Sequence, residues 1–297
     1  MFSGSVMTSV IFTIIISGAA IIIPLLMIYF ATRKTETGTG ILGSFGLGLL
    51  AYFWSQYLLT LPIILILNAI SGFEKLSASK NYYFVYLIIT AVVLVGLASL
   101  GRLWCVWLMN KRTPSLYRAI SSAVGFAAFT AVSRIATYSS YYSYMKLCNT
   151  EGEDALKSLI MANGTITDES ATVMIDSLKS ASSMGIALEG VNVLFMLMVE
   201  IGLIAIIYQG FVCRKTVKAT LISAGIGLVY SFVGMLINAL GTDKMGNVIS
   251  VETTLIVYNV YQFTCALAGA WIAANALRKY KKAMSEGAYV QSAYFEK

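Results

Sequence analysis

Histidine is absent from all 297 residues. That removes every His-based triad, His-ligated zinc site and His proton relay from the chemistry this chain can supply by itself. Charge is scarce as well: Asp, Glu, Lys and Arg make up 12% of the chain, against about 25% in an average soluble domain. Cysteine is sparse and dispersed at Cys105, Cys148, Cys213 and Cys265. With no Cys-x-x-Cys pair, neither a metal cluster nor a disulfide framework is expected. No basic stripe with interleaved aromatics and no nucleic-acid motif is present, so a net charge of +7 does not point to nucleic acid.

What the chain has is apolar length. Hydrophobic residues make up 58%, and the mean hydropathy is +0.77. The expected class is an all-α, polytopic transmembrane helical bundle forming one integral membrane domain. Seven spans are expected, at about 10–31, 41–70, 82–109, 116–138, 186–208, 219–240 and 254–277. Pro24 should kink the first, and Pro62 interrupts the second. Gly43, Gly46 and Gly48 would allow close helix packing in span two. Met1 to Ser9 carries no Lys or Arg, so the first apolar run is expected to be a retained helix, not a cleaved signal peptide.

Loop charge sets the expected orientation. Arg33, Lys34, Lys111, Arg112, Arg118, Arg214, Lys215, Lys218, Arg278, Lys279, Lys281, Lys282 and Lys297 place thirteen basic residues on one side. Lys75, Lys80, Lys146, Lys157, Lys179 and Lys244 place six on the other. The positive-inside rule then puts the N-terminus outside and the C-terminus in the cytoplasm. The acidic insert at about 139–183 would be extracytoplasmic, with short amphipathic helices near 151–161 and 168–182 and Thr167 capping the second. Asn163-Gly164-Thr165 reads as a turn before it reads as a glycosylation sequon. The loops around Glu74, Lys75 and Lys80 and around Asp243, Lys244 and Glu252 are expected to be short and polar. The run Tyr138, Tyr141, Tyr142, Tyr144 reads as an interfacial aromatic belt, as do Trp104 and Trp107.

Arg102 and Arg134 lie inside spans, where a charge is costly and needs a partner or a cavity. Phe126, Thr130 and Arg134 share one helical face at i, i+4, i+8. Glu189, Asn192, Met196 and Glu200 form a stripe on span five. Measured from the basic ends, Glu200 lies about 14 residues in, roughly 20 Å, and Arg134 about 16, roughly 24 Å. Glu200 is therefore expected to pair with Arg134 or with Arg102. Measured from the outer ends, Arg134 sits nearer Glu189, so that partner stays open. A structural ion pair is the simpler reading; a polar site between helices is the functional one. Asn259 with Gln262, and Ser231 with Asn238, read as hydrogen-bond glue between helices.

The order of parts resembles the YhfC-like intramembrane metalloprotease family. Gly125-Phe126-Ala127-Ala128-Phe129-Thr130-Ala131 matches a Gly-His-Gly-Gly-Ile-Glu-Ala pattern on one span. A polar insert follows, then Leu188-Glu189-Gly190 at a Glu-Arg motif and Val199-Glu200-Ile201-Gly202-Leu203 at a histidine position. Arg214-Lys215 then leads into Ala224-Gly225-Ile226-Gly227-Leu228-Val229-Tyr230, where the family carries a further histidine span. The likeness is strongest over 115–240. It implies a bacterial plasma-membrane metallopeptidase with Phe126, Thr130, Arg134, Glu189 and Glu200 on the former active-site face. The motif residues themselves are missing: Phe126 and Thr130 stand at the His and Glu positions, and Glu200 at the next His. A catalytic zinc needs three protein ligands and a water. Glu189 and Glu200, roughly 16 Å apart along one helix, do not supply them.

The reading is therefore a catalytically inactive relative with a regulatory, scaffolding or binding role, no cofactor and no metal, whose partners are the lipid bilayer and an unknown membrane or peptide partner. In it, Arg134 would replace the lost metal's charge opposite Glu200. The alternative is the membrane subunit of a small-molecule transporter using Glu200, Arg134 and Arg102; the absence of an inverted repeat counts against it. An active protease with different chemistry would need a Ser or Cys beside an activating base, and no such pair stands out.

Overall fold

Within hydrocarbon every backbone N–H and C=O must be satisfied internally, and a helix does this from local residues alone. The computed structural model, which describes residues 2–33, 38–110, 115–162, 167–245 and 248–285, is all-α with no strand among them. Lys34, Lys111, Arg112, Lys297 and the Asn163-Gly164-Thr165 sequon lie outside the described residues. In chain order the elements begin α1 (Gly4–Thr32), α2 (Gly38–Tyr52), a π-helical segment (Phe53–Thr60), α3 (Leu61–Ala69), α4 (Ser71–Ala78) and α5 (Tyr83–Asn110). They continue with α6 (Leu116–Glu151), α7 (Glu153–Met161), α8 (Asp168–Ser180), α9 (Ser183–Val212), α10 (Thr216–Leu240), a 3-10 turn (Asp243–Met245) and α11 (Val251–Ser285). Among the described residues seven helices are long and apolar enough to cross a membrane. The protein is a multi-pass membrane protein of the expected class.

Several boundaries differ from the sequence reading. The helix of span four does not stop near Tyr138. It runs on to Glu151, because no Gly or Pro intervenes until Gly152, whose φ of 95° ends it. The loop expected around Glu74 and Lys75 is the helix α4, anchored by Phe73, whose ring lies 5.0 Å from that of Tyr86. The basic cluster Arg278, Lys279, Lys281, Lys282, expected just after span seven, lies on the final turns of α11, where cations favour the helix C-terminus. α1 continues past Pro24. Pro62 is preceded by the π-helical segment, in which Leu61 N–H donates to Gln56 O, five residues back.

The chain divides into two compact units, one from Met1–Ile22 and Thr130–Leu194, the other from Ile23–Phe129 and Phe195–Lys297. In the first, Tyr138, Met145 and Cys148 on α6 pack with Leu156 and Ile160 of α7 and with Ala171, Ile175 and Leu178 of α8. Tyr141, Tyr142 and Tyr144 are partly buried against this cluster, so the tyrosine run is a packed core and not the belt expected. Asn149 clasps the start of the chain: Phe2 N–H donates to its Oδ1 at 2.7 Å, and its Nδ2 donates to Phe2 O at 3.2 Å. Thr13 Oγ1 donates to Ile186 O at 2.6 Å, beside Gly190, which lets α1 approach α9. Thr167 caps α8 as expected, accepting from Ser170 N–H.

Lys179 pairs with Glu153, and Lys157 with Asp168, joining α7 to α8. The hydrogen bond from Lys179 holds the Glu153 carboxyl below its ordinary value of 4.5. A depressed carboxyl pKa contributes stability above the ordinary value and loses it as pH falls through the lowered one. Amide-exchange protection of α7 and α8, corrected for intrinsic rate, should therefore hold from neutral pH down to about pH 5 and weaken only in stronger acid. Both side chains are exposed, so the change should be small. A loss already complete at pH 6 would exclude this pair as its source.

In the second unit glycines set the closest helix approaches. A Cβ on Gly48 of α2 would overlap Ser122 O of α6, and one on Gly125 of α6 would overlap Phe45 O of α2. Ser121 Oγ adds a 2.8 Å hydrogen bond to Ile41 O across the same contact. Gly43 and Gly46 take no part: a Cβ there would meet nothing within 4 Å. On α9 and α11, a Cβ at Gly202 would lie 2.8 Å from Gly269 Cα.

Candidate functional site: a buried ion pair

Arg102 is the one charged residue of the apolar helix α5, and Glu200 is the deeper of the two acids on α9. The two meet. Arg102 Nε donates to Glu200 Oε2 and Nη2 donates to Oε1, both at 2.7 Å. Arg102 is 5% exposed and Glu200 8%. A guanidinium fork matched to both carboxylate oxygens is the geometry that best offsets the desolvation of two buried charges. Nη1 reaches Ser99 Oγ, one turn earlier on α5, at 3.4 Å.

The Phe126 ring of α6 lies 5.1 Å from Arg102 Cζ, within cation–π range. Phe126 is itself fixed by an edge contact with Tyr52 at 5.1 Å. On α10, a Cβ at Gly227 would stand 3.1 Å from Val95, so this glycine allows the close approach of α10 to α5, with Arg102 Nη1 at 4.0 Å, in ordinary contact range. Gln262 on α11 accepts from the Tyr230 hydroxyl of α10 at 2.6 Å.

Glu200 thus pairs with Arg102, not with Arg134. Arg134 pairs instead with Glu189, Nη2 to Oε2 at 2.8 Å, and these side chains are 42% and 36% exposed. The face expected to join Phe126, Thr130 and Arg134 serves two ends: Phe126 is buried over Arg102, Thr130 is half-buried, and Arg134 belongs to the Glu189 pair. The Glu189–Glu200 stripe is divided in the same way. Asn192, between them, keeps a buried Oδ1 without a hydrogen-bond partner. The Asn238 side chain is exposed near the end of α10, so Ser231 and Asn238 do not form interhelical glue. Asn259 donates back to Leu255 O of its own helix, while Gln262 does bridge helices. Sequence reasoning missed Ser99 and Tyr230. Ser99 could have been found at i−3 from Arg102.

No family model, curated protein or solved structure matches the chain. The site must be read from its own chemistry. Among the described residues no group of three His, Cys, Asp or Glu side chains is placed to hold a metal ion. Both Glu200 oxygens meet the Arg102 guanidinium, whose other contacts are a phenyl ring and a hydroxyl, and none of these is an anionic or imidazole donor. This donor set does not fit a catalytic zinc. What the arrangement can do is hold α5, α6 and α9 in one register by a neutralised, directional contact.

Proposed function

We propose that this chain is a catalytically silent YhfC-like membrane protein of the bacterial plasma membrane, with a binding, scaffolding or regulatory role. The observation that carries the reading is the closed Arg102–Glu200 fork beneath Phe126. Phe126 and Glu200 stand at positions where the family resemblance implies metal ligands, and both carboxylate oxygens of Glu200 are engaged by the guanidinium. Arg102, in place of Arg134, is then the cation that substitutes for the metal's charge. The charge bias of the loops supports an N-terminus outside and a C-terminus in the cytoplasm. Its partner is a membrane protein or peptide met within or beside the bilayer.

Purified protein in nanodiscs, assayed for bound zinc and for cleavage of casein and of a model transmembrane substrate, tests the reading. The expected result is no stoichiometric metal and no chelator-sensitive cleavage. Tight metal with proteolysis that survives Glu200→Gln would place activity elsewhere in the chain, and proteolysis abolished by Glu200→Gln would make this an enzyme; either overturns the proposal.

A further inference from the structure

A second feature of the larger unit is unrelated to the ion pair. At the helix ends adjoining the basic loops, α2, α5 and α6 enclose a cavity of about 410 Å³, within the roughly 300–1,000 Å³ range of small-molecule sites. Its polar side is Arg118, Thr39 and Ser44; its apolar side is Leu47, Leu108 and Met109. Arg118 lies against Gly40: a Cβ there would lie 2.8 Å from Nη2 and 3.1 Å from Cζ, so the guanidinium rests on bare backbone and would have to shift for a larger residue. The sequence flanking these helix ends is basic: Arg33 and Lys34 precede α2, Lys111 and Arg112 follow α5, and Glu36 is the one acid among them.

Two features point to the occupant. The lining divides into a cationic, hydroxyl-bearing side and an apolar side, as a phospholipid divides at its phosphate. Met109 and Arg118 stand within three residues of their helix ends, Thr39 one from its own, which is headgroup level for a spanning helix. By contrast, the apolar groove between α9, α10 and α11 offers no charged group: its Tyr261 hydroxyl donates to Val229 and Tyr230 carbonyls, and its Tyr230 hydroxyl to Gln262.

We propose that this cavity binds the phosphodiester of an anionic phospholipid, with Arg118 as the phosphate contact and Leu47, Leu108 and Met109 against the start of an acyl chain. Basic pockets between helices near the membrane surface are suited to such headgroups, and a guanidinium has five donors to share among several partners.

Native mass spectrometry of the full chain in detergent, titrated with dioleoyl-phosphatidylglycerol or dioleoyl-phosphatidylcholine, tests this. The intact protein should retain one phosphatidylglycerol at about fivefold lower concentration than phosphatidylcholine, and Arg118→Gln should abolish most of that preference. Gly43→Leu is the second variant. Gly43 lines the cavity, and a Cβ there meets nothing within 4 Å. It should cut phosphatidylglycerol retention several-fold while the melting temperature in phosphatidylcholine stays unchanged. A phosphatidylglycerol preference untouched by both variants overturns the proposal. So does loss of the retained phosphatidylglycerol when inorganic phosphate is added at the same concentration as the lipid, which would assign the cavity to a free anion.

Discussion

Arg102→Met and Glu200→Leu, made singly, should each lower stability by about 3–5 kcal/mol, because each leaves one buried charge without its counter-charge. The partner left behind has few alternatives. Among the described residues Glu200 would keep no cation at ion-pair distance, and Arg102 would keep Ser99 at 3.4 Å and the face of Phe126. The combined variant Arg102→Met with Glu200→Leu should instead fall within about 1 kcal/mol of the natural protein or exceed it, since an apolar pair of similar volume avoids both desolvation terms. Reversible unfolding in detergent, read as a double-mutant cycle, measures the coupling directly. Strict additivity would mean that the two residues do not stabilise one another. The same cycle on Arg134 and Glu189 should give a coupling of about 1 kcal/mol or less, because that pair is partly exposed.

The second large effect lies at the contact of α2 with α6. Gly48→Leu or Gly125→Leu would force a side chain into the opposing carbonyl, Ser122 O or Phe45 O. Backbone cannot step aside as a side-chain tip can, so the helices must separate. The expected loss is about 3 kcal/mol or more, at the upper end of overpacking costs, with the Ser121–Ile41 hydrogen bond lost as well. Gly46→Ala, two residues from Gly48 and so on the opposite face of α2 with open space around it, should be neutral or stabilising by up to about 1 kcal/mol through helix propensity. Thermal unfolding of the three variants in one detergent decides it. Equal behaviour at positions 46, 48 and 125 would show that α2 and α6 do not pack through these glycines.

Those three glycines mark where the sequence stops being legible. The glycine-rich opening of span two suggested close packing, yet Gly43 and Gly46 look no different from Gly48 in one dimension. The partner helix selects among them, and its identity is non-local. The ion pairs behave likewise. Counting residues from helix ends gave depths that allowed Glu200 to meet either Arg134 or Arg102, and that left Glu189 open to Arg134. Depth along a helix says nothing of its rotation or tilt, which packing against neighbours sets. The tyrosine run was misread for a related reason: aromatic residues at a span end suit a membrane belt and a small core equally, and the continuation of α6 to Gly152 with α7 and α8 folded against it decided for the core.

By itself the sequence determined the all-helical class and the seven segments, among the described residues, long and apolar enough to cross a bilayer, because hydrocarbon transfer and backbone hydrogen-bond saturation are local properties of each segment. The lack of histidine likewise fixed, without coordinates, which metal chemistry is out of reach. Only the tertiary structure decided that Arg102 neutralises Glu200, that Phe126 covers the guanidinium, and that Gly40 opens a cationic cavity beside Arg118. Each of these depends on residues far apart in sequence meeting across helix faces. Their meeting is set by the close approaches that Gly48, Gly125, Gly202 and Gly269 allow.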